Sequence, residues 1–342
     1  MTKMNFQWQS WVAENLRLGV PEDQIEKILI SNSIDSSTAR STISRLRNSP
    51  PPSNSTATST PNGTGDDLKY QKLAWMFATL QKCAAVSKTS TIVERRDKLS
   101  RDEFFEEYYA RNRPVVITGQ MEKWPAVKRW TLDFLKEKYG KVSVEIQGKR
   151  TNDPNYEMNS IAHKEMLPLG AFIDTIRDKT SNENYMTANN SSKNADLLRQ
   201  LMKDVSFPRE YCQPDWAGRA FFWLGPAGTV TPLHHDLTNN FMAQVLGSKL
   251  VKLISPLQLP LIYNHNNCFC QVDLDKPDFD KFPLFKGVNV LEVELHAQEM
   301  LFLPVGWWHY VRGLSTSITV SFTNFDAPNS YFEGYERLVS NL

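Results

Sequence analysis

From Phe221 onward the chain alternates apolar and polar residues in short runs, and this pattern most narrows the folds it can adopt. Proline, glycine and asparagine separate the runs. Alternation with a period of about two is typical of strands that bury one face, whereas a helix repeats its apolar residues every three to four positions or so. The pattern therefore predicts a mainly β fold with helical additions, built around an antiparallel barrel or jelly roll.

The N-terminal part of the chain is organised differently. Residues 1–47 contain three short segments with apolar residues at helical spacing, and the second starts at Pro21 with acidic residues after it, as helices often do. Residues 48–67 are almost all Pro, Ser, Thr, Asn and Gly, which is typical of a flexible linker. We predict a small helical bundle at 1–47, a linker at 48–67, and a main domain at 68–342 that begins with helices.

The overall composition argues against several partners and locations. The net charge is +1, which gives no electrostatic reason to expect nucleic acid or an anionic membrane as the main partner. No apolar run approaches the roughly 20 residues of a transmembrane helix, and the N-terminus lacks the apolar core of a signal peptide. The four cysteines are too few and too scattered for a disulfide framework. We therefore expect a reducing, cytoplasmic setting.

Two short segments carry residues suited to hold a metal ion. The first is Thr231-Pro-Leu-His234-His-Asp236, and the second is Leu303-Pro-Val-Gly-Trp-Trp-His309. Residues two apart on a strand point to the same face, so His234 and Asp236 can be directed at one point. A second histidine from a neighbouring strand completes a set of two histidines and one carboxylate. Such a set occupies one face of a metal, leaves the opposite face open, and suits non-haem Fe(II) and oxygen chemistry.

Other candidate ligands fit a metal site less well. If His234 points toward the metal, its neighbour His235 points away, and we expect a structural role for it. Cys268 and Cys270, with His265, lack the paired spacing of a zinc site, so we expect a loop there.

A lysine and an asparagine on apolar strand faces indicate a further ligand. Both faces of the strand after Gly247 are largely apolar, so at least one of Lys249 and Lys252 is expected to be partly buried. A buried ammonium group is costly unless an anion meets it, and the dicarboxylate 2-oxoglutarate would supply one; a lysine reaching solvent from an edge strand is the alternative. Asn324 lies on an apolar face, where a cofactor carboxylate, a ligating side chain or backbone carbonyls could satisfy its amide.

Together these segments resemble the JmjC (cupin-like) 2-oxoglutarate-dependent oxygenases, specifically the hydroxylase branch that includes the asparaginyl hydroxylase acting on hypoxia-inducible factor. The resemblance runs from about Leu99 to Asp326. It covers Arg113-Pro-Val-Val-Ile-Thr-Gly119 with Trp124-Pro125, both metal segments, and the run Asn-Phe-Met-Ala-Gln-Val-x-Gly-x-Lys that ends fifteen residues after the first histidine ligand. The fold it implies is a double-stranded β-helix, the jelly-roll barrel of the cupins, here preceded by the small N-terminal helical bundle.

The resemblance also implies roles for individual residues. The implied iron ligands are His234, Asp236 and His309. The implied partners of 2-oxoglutarate are Thr231, Lys249 and Tyr185 at its distal carboxylate, with the amides Asn240 and Asn324 near its metal-chelating end. The chain departs from the family two residues after the tyrosine, where Thr187 replaces a glutamine.

The function implied by this resemblance is C–H hydroxylation that uses Fe(II), 2-oxoglutarate and O2, most simply on a peptide or protein side chain. Three alternatives stay open: a small-molecule hydroxylase of the same fold, an N-methyl-lysine demethylase, and a non-catalytic cupin that binds a ligand or partner. A homodimer also stays open. The bundle at 1–47 lies outside the resemblance, and recruitment of substrate or self-association are roles it could have.

Overall fold

The computed structural model describes residues 6–17, 20–32, 34–47, 65–87, 90–187, 193–333 and 335. The chain divides into two compact units, and each is discontinuous in sequence. The first consists of Met1–Ser90, Ile254–Asn289 and Glu333–Leu342, and the second of Thr91–Leu253 and Val290–Phe332.

Regular secondary structure occupies most of the described chain. The α-helices are α1 (Phe6–Arg17), α2 (Glu22–Ser31), α3 (Ser36–Arg47), α4 (Gly65–Ala84), α5 (Arg101–Phe104), α6 (Pro125–Arg129), α7 (Leu132–Tyr139), α8 (Leu169–Ile176) and α9 (Ala195–Leu201). The strands are β1 (Glu94–Asp97), β2 (Val115–Thr118), β3 (Ser143–Gln147), β4 (Lys164–Pro168), β5 (Ala220–Gly225), β6 (Val230–His235), β7 (Asn240–Leu246), β8 (Lys249–Ile254), β9 (Asn264–Asn266), β10 (Phe269–Cys270), β11 (Leu291–Leu295), β12 (Met300–Leu303), β13 (Trp308–Gly313) and β14 (Ser317–Phe322).

The three helices predicted near the N-terminus are confirmed. Helix α2 starts directly after Pro21 and buries Ile25, Ile28 and Leu29, and α3 contacts both α1 and α2. Residues 48–64 of the predicted linker lie outside the described residues, and α4 already begins at Gly65, three residues before the predicted helix. The division into domains at 1–47, 48–67 and 68–342 stays a prediction.

The first unit also contains a segment that the sequence predicts wrongly. Helix α4 packs against a short 3-10 helix at Pro256–Leu261. The Cys268–Cys270 segment, predicted as a loop, instead contributes β10 to a short antiparallel hairpin with β9. The Asn264 side chain supports the hairpin because its Nδ2 donates to the backbone oxygens of Asn267 and Phe269.

The second unit contains two larger sheets, and their antiparallel pairing confirms the mainly β fold predicted from residue alternation. One sheet has the strand order β1-β2-β12-β7-β14-β5, in which only the β1–β2 pair is parallel. In the other, the strands of this unit follow the order β11-β8-β13-β6. A separate two-stranded sheet joins β3 and β4. Antiparallel sheets with helical additions are consistent with a jelly roll.

Alternate residues of the first sheet enter two different apolar clusters. On β7, Phe241, Ala243 and Val245 point into a cluster shared with the helices, whereas Met242 points into a cluster shared with the second sheet. Val251 of β8 belongs to that second cluster. Since side chains alternate along a strand, this assignment places the two sheets face to face with apolar side chains between them.

One further expectation concerns membranes. Among the described helices, none combines the length and the apolar character needed to cross a lipid bilayer.

Candidate metal centre

The two predicted histidine ligands lie opposite one another on paired strands. In the antiparallel pairing of β6 with β13, His309 is directly opposite His234, and a register irregularity follows between His309 and Val311. The centroids of the two imidazole rings are 4.0 Å apart. Direct cross-strand neighbours have the closest side chains in an antiparallel sheet, so the pairing itself brings the rings together.

Asp236 completes the group from the residue after the end of β6. The carboxylate faces both rings: its Oδ1 is 3.9 Å from His234 Nε2, and its Oδ2 is 3.9 Å from His309 Nε2. The ligand atoms of the three residues all lie within 4.8 Å of one another. The backbone N–H of Gly306 donates to the Asp236 carbonyl at 3.2 Å, which ties the turn before β13 to the end of β6.

Both imidazoles are held with the same nitrogen facing the carboxylate. His234 Nδ1 is 2.8 Å from the Pro232 carbonyl oxygen, and His309 Nδ1 is 3.0 Å from that of Trp307. Because a carbonyl only accepts hydrogen bonds, each Nδ1 donates a proton to it, and each Nε2 is the ring nitrogen on the side of Asp236. Burial, together with the neighbouring His234, holds the pKa of His309 below its ordinary value, which favours the neutral ring that binds metals.

This donor set fits a divalent first-row metal. Two neutral imidazoles and one carboxylate supply nitrogen and oxygen ligands without a thiolate, and they approach from one side. Two metal–ligand bonds of about 2.1 Å can span the 3.9 Å between ligand atoms. The hydrogen bonds to Nδ1 are the outer contacts that usually orient metal-binding histidines.

His235 is directed elsewhere, as its position on the strand predicts. Its ring meets Trp308 edge-on, with centroids 4.7 Å apart, and it is not a member of the ligand group. Burial lowers the pKa of His235, so the ring is held in its neutral form.

Lys249 and Tyr185 meet although they are far apart in sequence. Lys249 is only 2% exposed, and its Nζ donates to the Tyr185 hydroxyl at 3.1 Å. Burial lowers the pKa of Lys249 to about 7 and raises that of Tyr185. The prediction that at least one lysine on β8 is partly buried is confirmed: Lys249 is buried, and the Lys252 side chain is 15% exposed, with its Nζ 3.4 Å from exposed Glu292.

The structure defines fewer contacts for the remaining predicted residues. Thr231 lies opposite Val311 in the β6–β13 pairing. Asn240 opens β7, and its Oδ1 is buried without a partner among the described residues. Asn324 is fully buried beyond the end of β14, and its Nδ2 donates to the Gln213 backbone oxygen at 2.5 Å. The Thr187 hydroxyl, where the family has a glutamine, is buried and finds no partner in the described part of the chain.

Sequence reasoning missed a buried ion pair beside Tyr185. Arg150 Nη2 is 2.9 Å from Glu157 Oε1, and the Arg150 side chain is fully buried. The Arg150 Cζ atom lies 5.1 Å from the centre of the Tyr185 ring. Both charged residues come from a polar stretch that resembles an ordinary surface loop, so no local pattern distinguishes them.

Comparisons with known proteins agree with this geometry. Residues 101–331 match the family described as Cupin-like domain. The lysine-specific demethylase JMJ30 of Arabidopsis thaliana is 37% identical over 244 residues, which cover 69% of this chain and 55% of that protein. Lysine-specific demethylase 8 of Xenopus tropicalis is 31% identical, over 65% of this chain and 50% of that protein.

A relative named for a different process is also similar. The tRNA wybutosine-synthesizing protein 5 of Gallus gallus is 28% identical over 229 residues, covering 63% of this chain and 71% of that protein. The chain spans about half the length of the two demethylases it matches.

Proposed function

Because this chain belongs to the Cupin-like domain family, we propose that it is an oxygenase that hydroxylates a C–H bond. The cofactors expected from the sequence, Fe(II), 2-oxoglutarate and O2, are those of JmjC cupin oxygenases, and the chain has a His-Asp-His group that could hold the metal. The observation that carries the proposal is this group, in which both Nε2 atoms lie 3.9 Å from a carboxylate oxygen of Asp236, in a fold that also buries Lys249.

Different residues of the chain would bind the metal and the 2-oxoglutarate carboxylate. His234, Asp236 and His309 would hold the iron, and the Pro232 and Trp307 carbonyls fix the two imidazoles for it. When bound, iron with 2-oxoglutarate and O2 supplies the oxidising power that places one oxygen atom on the substrate and leaves succinate and carbon dioxide.

Lys249 and Tyr185 would receive the distal carboxylate of 2-oxoglutarate, since they place an ammonium group and a hydroxyl side by side. In a buried setting, a charge-assisted hydrogen bond to a carboxylate is stronger than at the surface. We assign Thr231 to the same carboxylate, and Asn240 and Asn324 to the metal-chelating end. The unpaired buried oxygens of the two asparagines support a polar ligand near them.

We propose that the fold is a double-stranded β-helix. We also propose that the enzyme is a hydroxylase similar to the one that acts on hypoxia-inducible factor. The substrate we propose is a peptide or protein side chain. The two relatives named as lysine-specific demethylases support a macromolecular substrate. The same names favour a second candidate, an N-methyl-lysine demethylase, which would hydroxylate the N-methyl carbon and release it as formaldehyde.

One experiment tests the proposal and separates the two candidates. The full chain is loaded anaerobically with Fe(II), mixed with 2-oxoglutarate and a peptide library with or without N-methyl-lysine, and exposed to O2. We expect succinate that depends on iron and O2. A peptide that gains the mass of one oxygen supports the hydroxylase, and formaldehyde with loss of a methyl group supports the demethylase. Tight zinc binding without succinate would overturn both and favour a non-catalytic cupin.

A further inference from the structure

The buried pair of Arg150 and Glu157 is incompletely satisfied. Within the part of the chain that the structure describes, the hydrogen bonds of the Arg150 guanidinium are made by Nη2, which contacts Glu157 and the Val230 backbone oxygen at 2.9 and 2.6 Å. Nε and Nη1 are buried and find no hydrogen-bond partner among the residues that the structure describes. A pair that served stability alone would be expected to use more of the guanidinium fork, because unpaired buried donors cost free energy.

Arg150 and Tyr156 both contact the start of β6. The Val230 carbonyl accepts hydrogen bonds from Arg150 Nη2 and from the Tyr156 hydroxyl, the latter at 3.0 Å. The Val230 N–H donates to the Asn182 side-chain oxygen at 2.9 Å. Val230 is therefore held on both its polar groups, and the next residue is Thr231, which we assign to the 2-oxoglutarate carboxylate.

The guanidinium also packs against two tyrosine rings, and one of these tyrosines contacts Lys249. Its Cζ atom lies 4.3 Å from the centre of the Tyr156 ring and 5.1 Å from that of Tyr185. Cations within about 6 Å of a ring centre are attracted to its face. The Tyr185 hydroxyl then accepts from Lys249 Nζ at 3.1 Å, so the ring links the guanidinium to the ammonium group.

We propose that Arg150 is a positioning residue for the distal carboxylate of 2-oxoglutarate, acting through Tyr185 on one side and through Val230 and Thr231 on the other. This inference rests on the proposed function. Arg150 sets the distance between Tyr185 and Thr231, which lie on the two sides of the carboxylate site, and Glu157 fixes the guanidinium in place. A lysine could keep the charge but not the simultaneous contacts of the planar guanidinium, because arginine and lysine are not equivalent at stacked sites.

The test compares two metal ligands in the full chain loaded with Mn(II) without oxygen. 2-Oxoglutarate chelates the metal and also needs the distal carboxylate site, whereas oxalate chelates the metal only. Calorimetry measures the dissociation constant of each for wild type, R150K and the double variant R150Q/E157Q, which removes both buried charges together. K149M is the matched control, since Lys149 is the adjacent cation, largely exposed, and paired with Glu165.

We expect the dissociation constant of 2-oxoglutarate to rise about 10- to 100-fold in R150K and in R150Q/E157Q, the range typical of residues that orient a metal site from outside. Oxalate binding should stay within about twofold of wild type, which also shows that the variants are folded. K149M should bind both ligands normally. Equal weakening of both ligands in both variants, or no weakening of either, overturns the proposal. A wild-type chain that binds oxalate but not 2-oxoglutarate would instead count against the proposed function.

Discussion

His234 and His235 are adjacent in sequence but have opposite surroundings, and this contrast offers a direct test. We expect H234Q to lose iron-dependent succinate formation by at least about 100-fold, because it removes one of three protein ligands. H235Q should keep most of the activity, since its ring packs on Trp308 outside the ligand group. Succinate formation and metal content after gel filtration measure both effects. Comparable losses in the two variants would contradict the assignment of ligands.

The burial of Lys249 predicts a pH dependence of 2-oxoglutarate binding. Its pKa lies near 7 in the ligand-free protein, and an anion beside the ammonium group would raise it. Binding above pH 7 should therefore take up a proton, and the dissociation constant should rise toward about tenfold per pH unit between about pH 7 and 9. The neighbouring Tyr185 phenol stays neutral in this range because burial raises its pKa.

Calorimetry in two buffers with different ionisation heats measures that proton uptake directly. K249M should bind 2-oxoglutarate weakly and without this proton uptake. A wild-type affinity that is flat across the range would show that Lys249 is charged before the ligand arrives.

At the level of single residues, the sequence is informative where the chemistry is local. His234 and Asp236 are two residues apart, so strand geometry alone predicts their convergence. The burial of Lys249 follows from the apolar residues around it. Arg150 and Tyr185 meet across a distance in sequence that no periodicity describes, and Arg150 lies in a polar stretch without a regular pattern. Their association is a product of tertiary packing.

The turn between β7 and β8 is the element on which the position of Lys249 depends. Gly247 has φ +72, and a Cβ added there would clash with the Thr316 backbone oxygen. Gly218 has a similar φ of +71, but a Cβ there would meet nothing within 4 Å. We expect G218A to cost about 1–2 kcal/mol of unfolding free energy, the cost of a left-handed conformation, and G247A to cost at least about 3 kcal/mol because the clash is added.

Urea unfolding of the two variants checks this expectation, and equal losses would contradict it. G247A should also weaken 2-oxoglutarate binding, whereas G218A should not, because only Gly247 sits two residues before Lys249.

Element type was predictable where several residues repeat one pattern. Strand β2 follows from its run of apolar β-branched residues, and α2 from Pro21 and its acidic first turn. The hairpin of β9 and β10 was not predictable, because its strands are only three and two residues long and cannot show an alternation. Side-chain hydrogen bonds from Asn264 support it. Hydrogen bonds of this kind produce no periodic pattern in a sequence.

At the scale of the whole molecule, the two compact units differ from the consecutive domains predicted from the sequence, because each unit is discontinuous. The first unit combines residues near both ends with Ile254–Asn289, so its parts are brought together only by folding. The linker composition at 48–67 indicates a boundary in sequence but cannot show which distant segment the flanking helices join. All the predicted site residues belong to the second unit.

This placement predicts the outcome of a truncation. A chain lacking residues 1–47 should bind 2-oxoglutarate within about twofold of the full chain, because the predicted site residues and most of their contacts belong to the other compact unit. If the N-terminal helices recruit a macromolecular substrate, the truncation should weaken the binding of that substrate alone. Calorimetry with Mn(II) and 2-oxoglutarate makes the measurement. A loss of tenfold or more would show that the helices contribute to the site.

The proposed binding of 2-oxoglutarate at Lys249 would also connect the abundance of the protein to the concentration of this ligand. An ammonium group kept from water without a counter-ion raises the free energy of the folded chain, and a ligand that binds only the folded state lowers it as its concentration increases. Chaperones and proteases act on the unfolded fraction, so a change of about 1–2 kcal/mol alters steady-state abundance several-fold. A low concentration of 2-oxoglutarate would therefore lower both the reaction rate of each protein molecule and the abundance of the protein in the cell.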